Sequence, residues 1–328
     1  MKKLLLILNP ISGNRKGKKH LPWMIDFFEQ HGYLVDVYQT EKSLDALYRA
    51  KKARNRYDLV VAAGGDGTIN EVLNGLANTK TKLGVVPLGT ENVLAQEFKL
   101  SQNVRQACKH IISGSVKQVD LGKVTATPTV YDQARMPSQK TKIKPSTITR
   151  YFILMSGIGF DAHVAHVVAE KKMILKKLLG SASYHLTAVQ EFFRYTHQPL
   201  EITLSDPSQE KQEQRVQEQL VQQGSFVVVG NAKYYSGMLQ LTHKADMQDG
   251  YLDVLLLKKM NLFNVFQCLL GGTIKNHNLF DDISYFKTKK LAIKTLGKQP
   301  VLIHVDCEIT GQTPATIEVC PRALHLIC

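Results

Sequence analysis

The stretch Asp58-Leu59-Val60-Val61-Ala62-Ala63-Gly64-Gly65-Asp66-Gly67-Thr68-Ile69-Asn70 decides how this chain folds. Asp58 to Ala63 is a short apolar run bounded by turn residues, the pattern of a buried strand. The glycines that follow make a turn with one carboxylate at its tip. Beyond it Ile69, Val72, Leu73 and Leu76 recur at helical spacing. Thr68 and Glu71 have the spacing of a capping box at the helix start. A strand, a glycine turn and a helix N-terminus together hold phosphate. Glycine lets the backbone come close, and the unpaired N–H groups and helix dipole favour an anion. Asp66 repels a phosphate met directly. Its position makes sense if a divalent cation stands between them, or if it takes a proton. That combination points to phosphoryl transfer from a nucleotide.

Outward from this stretch, residues 1–120 alternate strand and helix. Leu4–Leu8 reads as a strand, followed by the Gly/Lys-rich loop Ser12–Lys19. A helix is expected from Leu21 to His31, with Pro22 in its first turn and Gly32 at its end. Tyr33–Tyr38 reads as a strand, and Ser43 as the cap of a short helix through Arg54. Leu83–Val86 is the next strand, closed by Pro87-Leu88-Gly89-Thr90, where Thr90 is expected to cap a helix from Glu91. Such short connections require a parallel sheet with helices on both faces. In these sheets ligands sit beyond the carboxyl ends of the strands, where Gly64–Thr68 and Leu88–Asn92 both fall.

After residue 120 the texture changes. Val124–Thr149 is polar and rich in Thr, Lys and Pro, and 206–224 is Gln/Glu-rich; both read as surface insertions. Residues 161–195 read as mostly helical. Strands then dominate, with Leu262–Gly271 as the helix among them. The expectation is an α/β domain over 1–120, a mostly β sandwich over 121–311, and a terminal segment, 312–328, packing back onto the first.

Composition narrows the class. The 328 residues suffice for two cores, and 44% apolar with 21% charged residues is ordinary for a soluble globular protein. No apolar run approaches a membrane span. The opening Met1-Lys2-Lys3-Leu4 imitates a signal peptide, but its apolar stretch ends at Asn9-Pro10 with no small-residue cleavage site, so it reads as the first strand. Five scattered cysteines without CxxC spacing argue against zinc and disulfides, and suit a reducing cytosol. The net charge of +14 is spread along the chain and favours anionic partners. No aromatic-interleaved basic groove or helix-turn-helix pattern accompanies it, so no nucleic acid is expected.

The remaining motifs each admit two readings. Asn9-Pro10-Ile11-Ser12-Gly13 is a plain turn or a nucleotide-lining loop, with Lys16 or Lys18 reaching phosphates. Thr90 and Asn92 offer a hydroxyl and an amide to a nucleotide, or only start a helix. Asp246–Val254 is a tight turn into a strand, or an oxygen cage for a hard cation. Asp306-Cys307-Glu308 is a solvated acidic turn, or presents Glu308 as a general base. The dinucleotide fingerprint and the P-loop pattern are absent.

As an ordered set these segments resemble the diacylglycerol kinase catalytic-domain family of soluble lipid kinases. The set is Asn9-Pro10-x-Ser12-Gly13, Gly64–Val72, Pro87-x-Gly89-Thr90-x-Asn92, Gly157-x-Gly159-x-Asp161-Ala162, Asp249-Gly250-x-Leu252-Asp253-Val254 and the terminal acid pair. The resemblance implies an NAD kinase-like α/β domain and a β-sandwich domain, with the active site in the cleft between them. It implies ATP on Gly64, Gly65, Asp66, Gly67, Thr68, Ile69 and Asn70, helped by Asn9, Ser12, Thr40, Thr90 and Asn92. It implies Mg²⁺ near Asp66, a structural metal at Asp246, Asp249 and Tyr251, and Glu308 as general base. The acceptor is then a lipid alcohol such as diacylglycerol, met at a membrane surface by a cytoplasmic protein, with a homodimer in prospect. Lys171–Leu179 is a candidate for that membrane contact. Cys307 stands where the family has glycine, and the glycine run before the metal turn is reduced to Ser236-Gly237-Met238. Two rival readings are an NAD kinase-like phosphotransferase and a non-catalytic lipid-binding protein on the same fold.

Overall fold

Leu4 to Leu8 are fully buried, as the centre of a parallel sheet covered on both faces requires. They belong to β1 (Lys2–Leu8) in a computed structural model describing residues 1–130, 132, 146–170, 190–208, 220–235 and 239–328. The chain divides into two units, Met1–Leu121 with Pro321–Cys328, and Gly122–Cys320.

In the first unit β1 lies between β2 (Tyr33–Gln39) and β3 (Leu59–Gly64), and β3 pairs with β4 (Lys82–Pro87). All these pairs are parallel. The chain leaves β1 for β2 on one side and reaches β3 on the other, so the order reverses between β1 and β3. Ligands bind beyond such a switch point. Leu8 is level with Gln39 and Ala63, and Gly64 with Pro87. The loops leaving β2, β1, β3 and β4 therefore begin at Thr40, Asn9, Gly65 and Leu88, along one rim. Helices α1 (Lys16–Gln30) and α5 (Val104–Ser113) share a core with Leu4, Leu6, Leu8, Val61 and Ala63. Helices α2 (Asp45–Ala53) and α3 (Asp66–Leu76) pack together over the alternate face.

Several boundaries depart from expectation. Helix α1 begins at Lys16, so Pro22 lies inside it and not in its first turn. Its missing N–H leaves the carbonyl of Lys18, at an exposed position, without that bond. Helix α2 has Leu44 as its N-cap, not Ser43, and Leu44 is left-handed with φ 69°. The helix after β4, α4 (Val93–Glu97), has Asn92 and not Thr90 at its N-cap position, and the Asn92 side chain does not cap it.

The second unit is built on antiparallel ladders. It holds the second half of β5 (Val116–Thr127) and most of β14 (Glu308–Ile327), together with β6 (Ile148–Phe152), β7 (Met155–Gly159), β8 (Leu200–Ser208) and β9 (Leu220–Gly224). The others are β10 (Phe226–Gly230), β11 (Leu252–Leu257), β12 (Ile283–Thr295) and β13 (Leu302–Val305). Pairing runs β13–β7–β10–β11–β12, and β14 joins both ends, meeting β13 through Glu308–Gln312 and β12 through Ala315–Glu318. The ladder thus closes on itself, giving a barrel-like unit where two facing sheets were expected. Thr313 and Pro314 stand where β14 changes partner, and proline interrupts a ladder. The inward residues, among them Ile158, Val227, Val254, Leu291 and Ile303, form one core. Each large side chain so buried contributes about 1.5–3 kcal/mol.

Strands β8 and β9 were not anticipated, because a polar composition masked their alternation. The last 20 residues before Cys328 form one continuous strand, β14. Helix α6 (Phe160–Glu170) follows β7, and helix α7 (Leu262–Ile274) lies between β11 and β12. Lys171–Leu179, Ser236–Met238, and most of 125–149 and 206–224 beyond the strands lie outside the described residues. No helix among the described residues is long and apolar enough to cross a membrane.

Candidate active site

Three loops meet at the carboxyl rim of the parallel sheet. The Asn9 side chain reaches from the β1 loop to the β3 loop, its Nδ2 donating to Thr68 Oγ1 at 3.1 Å. Its Oδ1 accepts the N–H of Ile11, which holds the loop leading to Ser12. Thr40 is tied to the same rim, its N–H donating to Leu8 O at 2.9 Å. The β3 and β4 loops touch through backbone: Leu88 N–H donates to Gly64 O at 2.7 Å. A Cβ on Gly89 would stand 2.8 Å from Gly65 Cα, and one on Gly13 would stand 2.3 Å from Leu88 O. Those two approaches require glycine.

The Gly64–Asn70 turn serves this rim in an unexpected way. Helix α3 begins at Asp66 with Gly65 as N-cap, and no side chain caps it. The expected capping box is therefore not formed. Thr68 lies inside the first turn. The first helical bond is Ile69 N–H to Gly65 O, so the amides of Asp66, Gly67 and Thr68 precede it. Glu71 turns instead to α2, where its carboxylate accepts the N–H groups of Leu44 at 2.8 Å and Ala46 at 3.1 Å. The half-buried Asp66 carboxylate accepts the N–H groups of Val93 at 3.2 Å and Leu94 at 3.4 Å. It thus tethers the start of α4 to the glycine turn through two long bonds.

Asn92 holds the β4 loop from within. Its Oδ1 accepts Gly89 N–H at 2.8 Å and its Nδ2 donates to Gly89 O at 3.0 Å, with the side chain buried. Asn70 and Ile69 are also buried, and Asn70 accepts from Asn74 Nδ2. Ser12, Gly65, Asp66 and Gly67 are half-buried and Thr90 is exposed, so these are the rim positions a ligand meets first.

In the second unit β13 and β14 are joined by a two-residue turn, Asp306-Cys307, with Val305 paired to Glu308. Both turn residues are left-handed, φ 46° and 66°. That is the hairpin turn glycine favours, and Cys307 occupies it at a conformational cost of about 1 kcal/mol. Asp306 explains why the turn holds. Its buried carboxylate accepts the N–H groups of Ile153 at 3.1 Å, Leu154 at 2.9 Å and Met155 at 3.0 Å.

His304 braces the turn from beneath. Its Nδ1 accepts Cys307 N–H at 3.2 Å, so the hydrogen is on Nε2, which donates to Asp161 Oδ2 at 2.7 Å. Tyr235 Oη donates to the other Asp161 oxygen. His304 and Asp161 are both buried. Gly157 makes room for them: a Cβ there would stand 2.1 Å from Asp161 Oδ2 and 2.4 Å from His304 Nε2. Glu308 is half-buried at the end of this arrangement, while Cys307 is an exposed free thiol. Sequence reasoning quoted Asp161 and Asp306 without a role and missed His304 and Tyr235. Pairs 143 residues apart leave no periodic signal.

The Asp246–Tyr251 turn is held internally. Asp246 Oδ1 accepts Gln248 N–H, and Asp249 Oδ1 accepts Tyr251 N–H at 2.9 Å. Asp249 Oδ2 lies 2.5 Å from the Lys287 ammonium, which is also 3.7 Å from buried Asp253 Oδ2. Burial pushes the Asp253 carboxyl up to about 6, against the pull of Tyr285 and Lys287. Burial opposes the Lys287 charge, yet Asp249 and Asp253 hold its pKa above the ordinary value. No cluster of three or more His, Cys, Asp or Glu is placed to hold a metal among the described residues. Asp249 thus has one oxygen on the Tyr251 amide and the other on the Lys287 ammonium.

Comparison with known proteins bears on both units. Residues 3–124 match the diacylglycerol kinase catalytic domain, and residues 155–328 match the YegS C-terminal NAD kinase beta sandwich-like domain. A diacylglycerol kinase of Bacillus subtilis is 28% identical over 333 residues, covering 100% of this chain and 96% of that protein. One of Staphylococcus carnosus is 27% identical over 319 residues, covering 96% and 91%. The crystal structure of a diacylglycerol kinase from Bacillus anthracis superposes with a TM-score of 0.68 at 21% identity, covering 99% and 96%, a likeness of fold.

Proposed function

The chain belongs to the diacylglycerol kinase catalytic-domain family of bacterial lipid kinases, and on that premise we propose that it transfers the γ-phosphoryl group of ATP to the hydroxyl of diacylglycerol or a related lipid alcohol. The observation that carries this reading is the gathering of the β1, β3 and β4 loops around the N-terminus of α3. Gly65 caps that helix without a side chain, which suits an anion against the first-turn amides. ATP enters as its magnesium complex. Asp66, whose carboxylate accepts the N–H groups of Val93 and Leu94, is the residue that would face the ion and offset its charge. Ser12, Thr40 and Thr90 offer hydroxyls along the same rim, and Asn9 and Asn92 keep its loops in register.

Glu308 is the base. It takes the proton of the lipid hydroxyl as that oxygen bonds to the γ-phosphorus, while the bond from the γ-phosphorus to the β–γ bridging oxygen breaks and ADP leaves. Asp306 and His304 position Glu308 through the turn between them. The rate gain comes mainly from alignment and from charge stabilisation on the phosphates. No step passes through a metal at Asp246 and Asp249.

The test is label transfer from γ-phosphorus-labelled ATP to diacylglycerol in detergent micelles, with NAD as a competing acceptor. Glu308→Gln and Asp66→Asn each lower lipid turnover by about 10²–10⁴-fold with the circular dichroism spectrum unchanged. Label in NAD instead of lipid, or full turnover by Glu308→Gln, overturns the reading.

A further inference from the structure

Helix α7 is inside out. The residues it buries are Asn264, Cys268, Gly271 and Gly272. The residues it turns to water are large and apolar: Leu262 is 57% exposed, Phe263 67%, Phe266 61%, Leu269 45% and Ile274 46%. The inner face is polar or small for a steric reason. A Cβ on Gly271 would stand 2.4 Å from the His277 ring, and one on Gly272 2.9 Å from Leu239. The 13 residues of α7 carry no charge at all. A water-facing helix normally shows the reverse arrangement, and contiguous exposed apolar surface marks a contact site.

Both ends of this face are basic. Exposed Lys258 and Lys259 precede the helix, and exposed Lys275 follows it. Lys244 and Lys275 both act on His243, so they add positive charge at the same end. The acids nearby are Asp281 and Asp282. Asp282 accepts from the inward Asn264, and the Asp281 carbonyl accepts from Lys258 Nζ.

We propose that the outer face of α7 is the surface through which this protein rests on a bilayer bearing anionic headgroups. Phe263, Phe266 and Leu269 enter the interface, and the lysines at both ends meet the headgroups. Charge decides against a second copy of the chain as occupant. A two-fold axis that paired α7 with itself would set Lys259 against Lys259 or Lys259 against Lys275, and like charges repel. The choice of a lipid occupant rests on the lipid-acceptor reading. The geometry of the face does not.

Binding is read by co-sedimentation of the full chain with vesicles, without ATP or acceptor. One set is phosphatidylcholine and the other adds phosphatidylglycerol. The wild type partitions to the phosphatidylglycerol vesicles. Phe263→Ser with Phe266→Ser lowers that partition at least about tenfold, and Lys258→Glu with Lys259→Glu and Lys275→Glu abolishes the preference for the anionic set. Phe266→Trp guards against misfolding as an explanation: vesicles shift its emission to the blue beyond the Trp23 background. Turnover of diacylglycerol in detergent micelles survives in the serine variant. Loss of lipid phosphorylation in the wild type would sink the kinase reading and leave the vesicle result intact. Wild-type binding by the serine variant overturns the proposal. So does a wild-type dimer in sedimentation equilibrium that the serine variant turns into monomer, because a second copy then covers the face.

Discussion

Replacing Asp306 by Asn removes one atom's worth of acceptor from the turn that carries Glu308. The carboxylate holds three backbone N–H groups, those of Ile153, Leu154 and Met155. An amide keeps one oxygen for the pair at 2.9 and 3.0 Å, and sets its NH₂ against the third, donor against donor. A buried donor without a partner costs about 1–3 kcal/mol, and the two surviving bonds lose their charge assistance at about 0.5–1 kcal/mol each. The sum is about 3 kcal/mol. For a unit of this size it lowers the melting temperature by about 6–12 °C. Differential scanning calorimetry reads the shift. Below the transition, label transfer reads a fall in kcat with little change in KM for ATP, because the loops proposed to hold ATP belong to the other unit. A variant melting within about one degree of the wild type refutes the reasoning, since three bonds to one buried carboxylate cannot then matter.

Three further outcomes are expected. Gly157→Ala puts a methyl group where Asp161 and His304 meet, and lowers stability by about 2 kcal/mol or more in denaturant titration; an unchanged midpoint would show that the pair yields without cost. Burial lowers the His277 pKa to about 4, its Nε2 donating to Leu241 O and its buried Nδ1 having no partner. Between about 4 and 6.5 the unfolded chain then binds a proton that the folded chain refuses. This contribution is fully present above 6.5 and is lost as pH falls towards 4. Asp253, raised to about 6, acts with the opposite sign over much of that window. The stability difference between wild type and His277→Gln should therefore grow by about 3 kcal/mol from pH 4 to 6.5; a difference independent of pH rejects the assignment. Lys287→Met leaves buried Asp253 and Asp249 without their cation and costs about 3–5 kcal/mol at pH 7, whereas EDTA leaves the wild-type melting temperature in place. A fall in melting temperature with EDTA would show a bound metal after all.

What the sequence discloses here depends on the range of the interaction. The glycine turns after β3 and β4 are legible because glycine, an apolar strand and a helical repeat lie within a dozen residues. The choice of cap is not. Thr68 and Glu71 carry a local capping signature, but Gly65 starts the helix earlier, and Glu71 satisfies two amides of α2 that have no other cap. Both partners are 25 or more residues away. The His304–Asp161 bond and the Lys287–Asp249 pair belong to the same class, since only the folded barrel brings them together. Cys307 was visible as a departure from glycine. What compensates for it, the three amides on Asp306, was not. The outward face of α7 was within reach, because an uncharged apolar helix among strands reads as core until its two glycines are placed inward.

The tail of β14 carries a consequence for how the protein is made. His325 and Leu326 pair with Lys82 and Leu83 and supply the neighbour strand of β4. On the ribosome, residues 122–320 must all be polymerised first. At 5–20 residues per second that is a wait of roughly ten to forty seconds. The parallel sheet is thus begun first and finished last, with one edge of β4 unpaired in the interval. Trimming or tagging this tail accordingly disturbs the unit built from the opposite end of the chain.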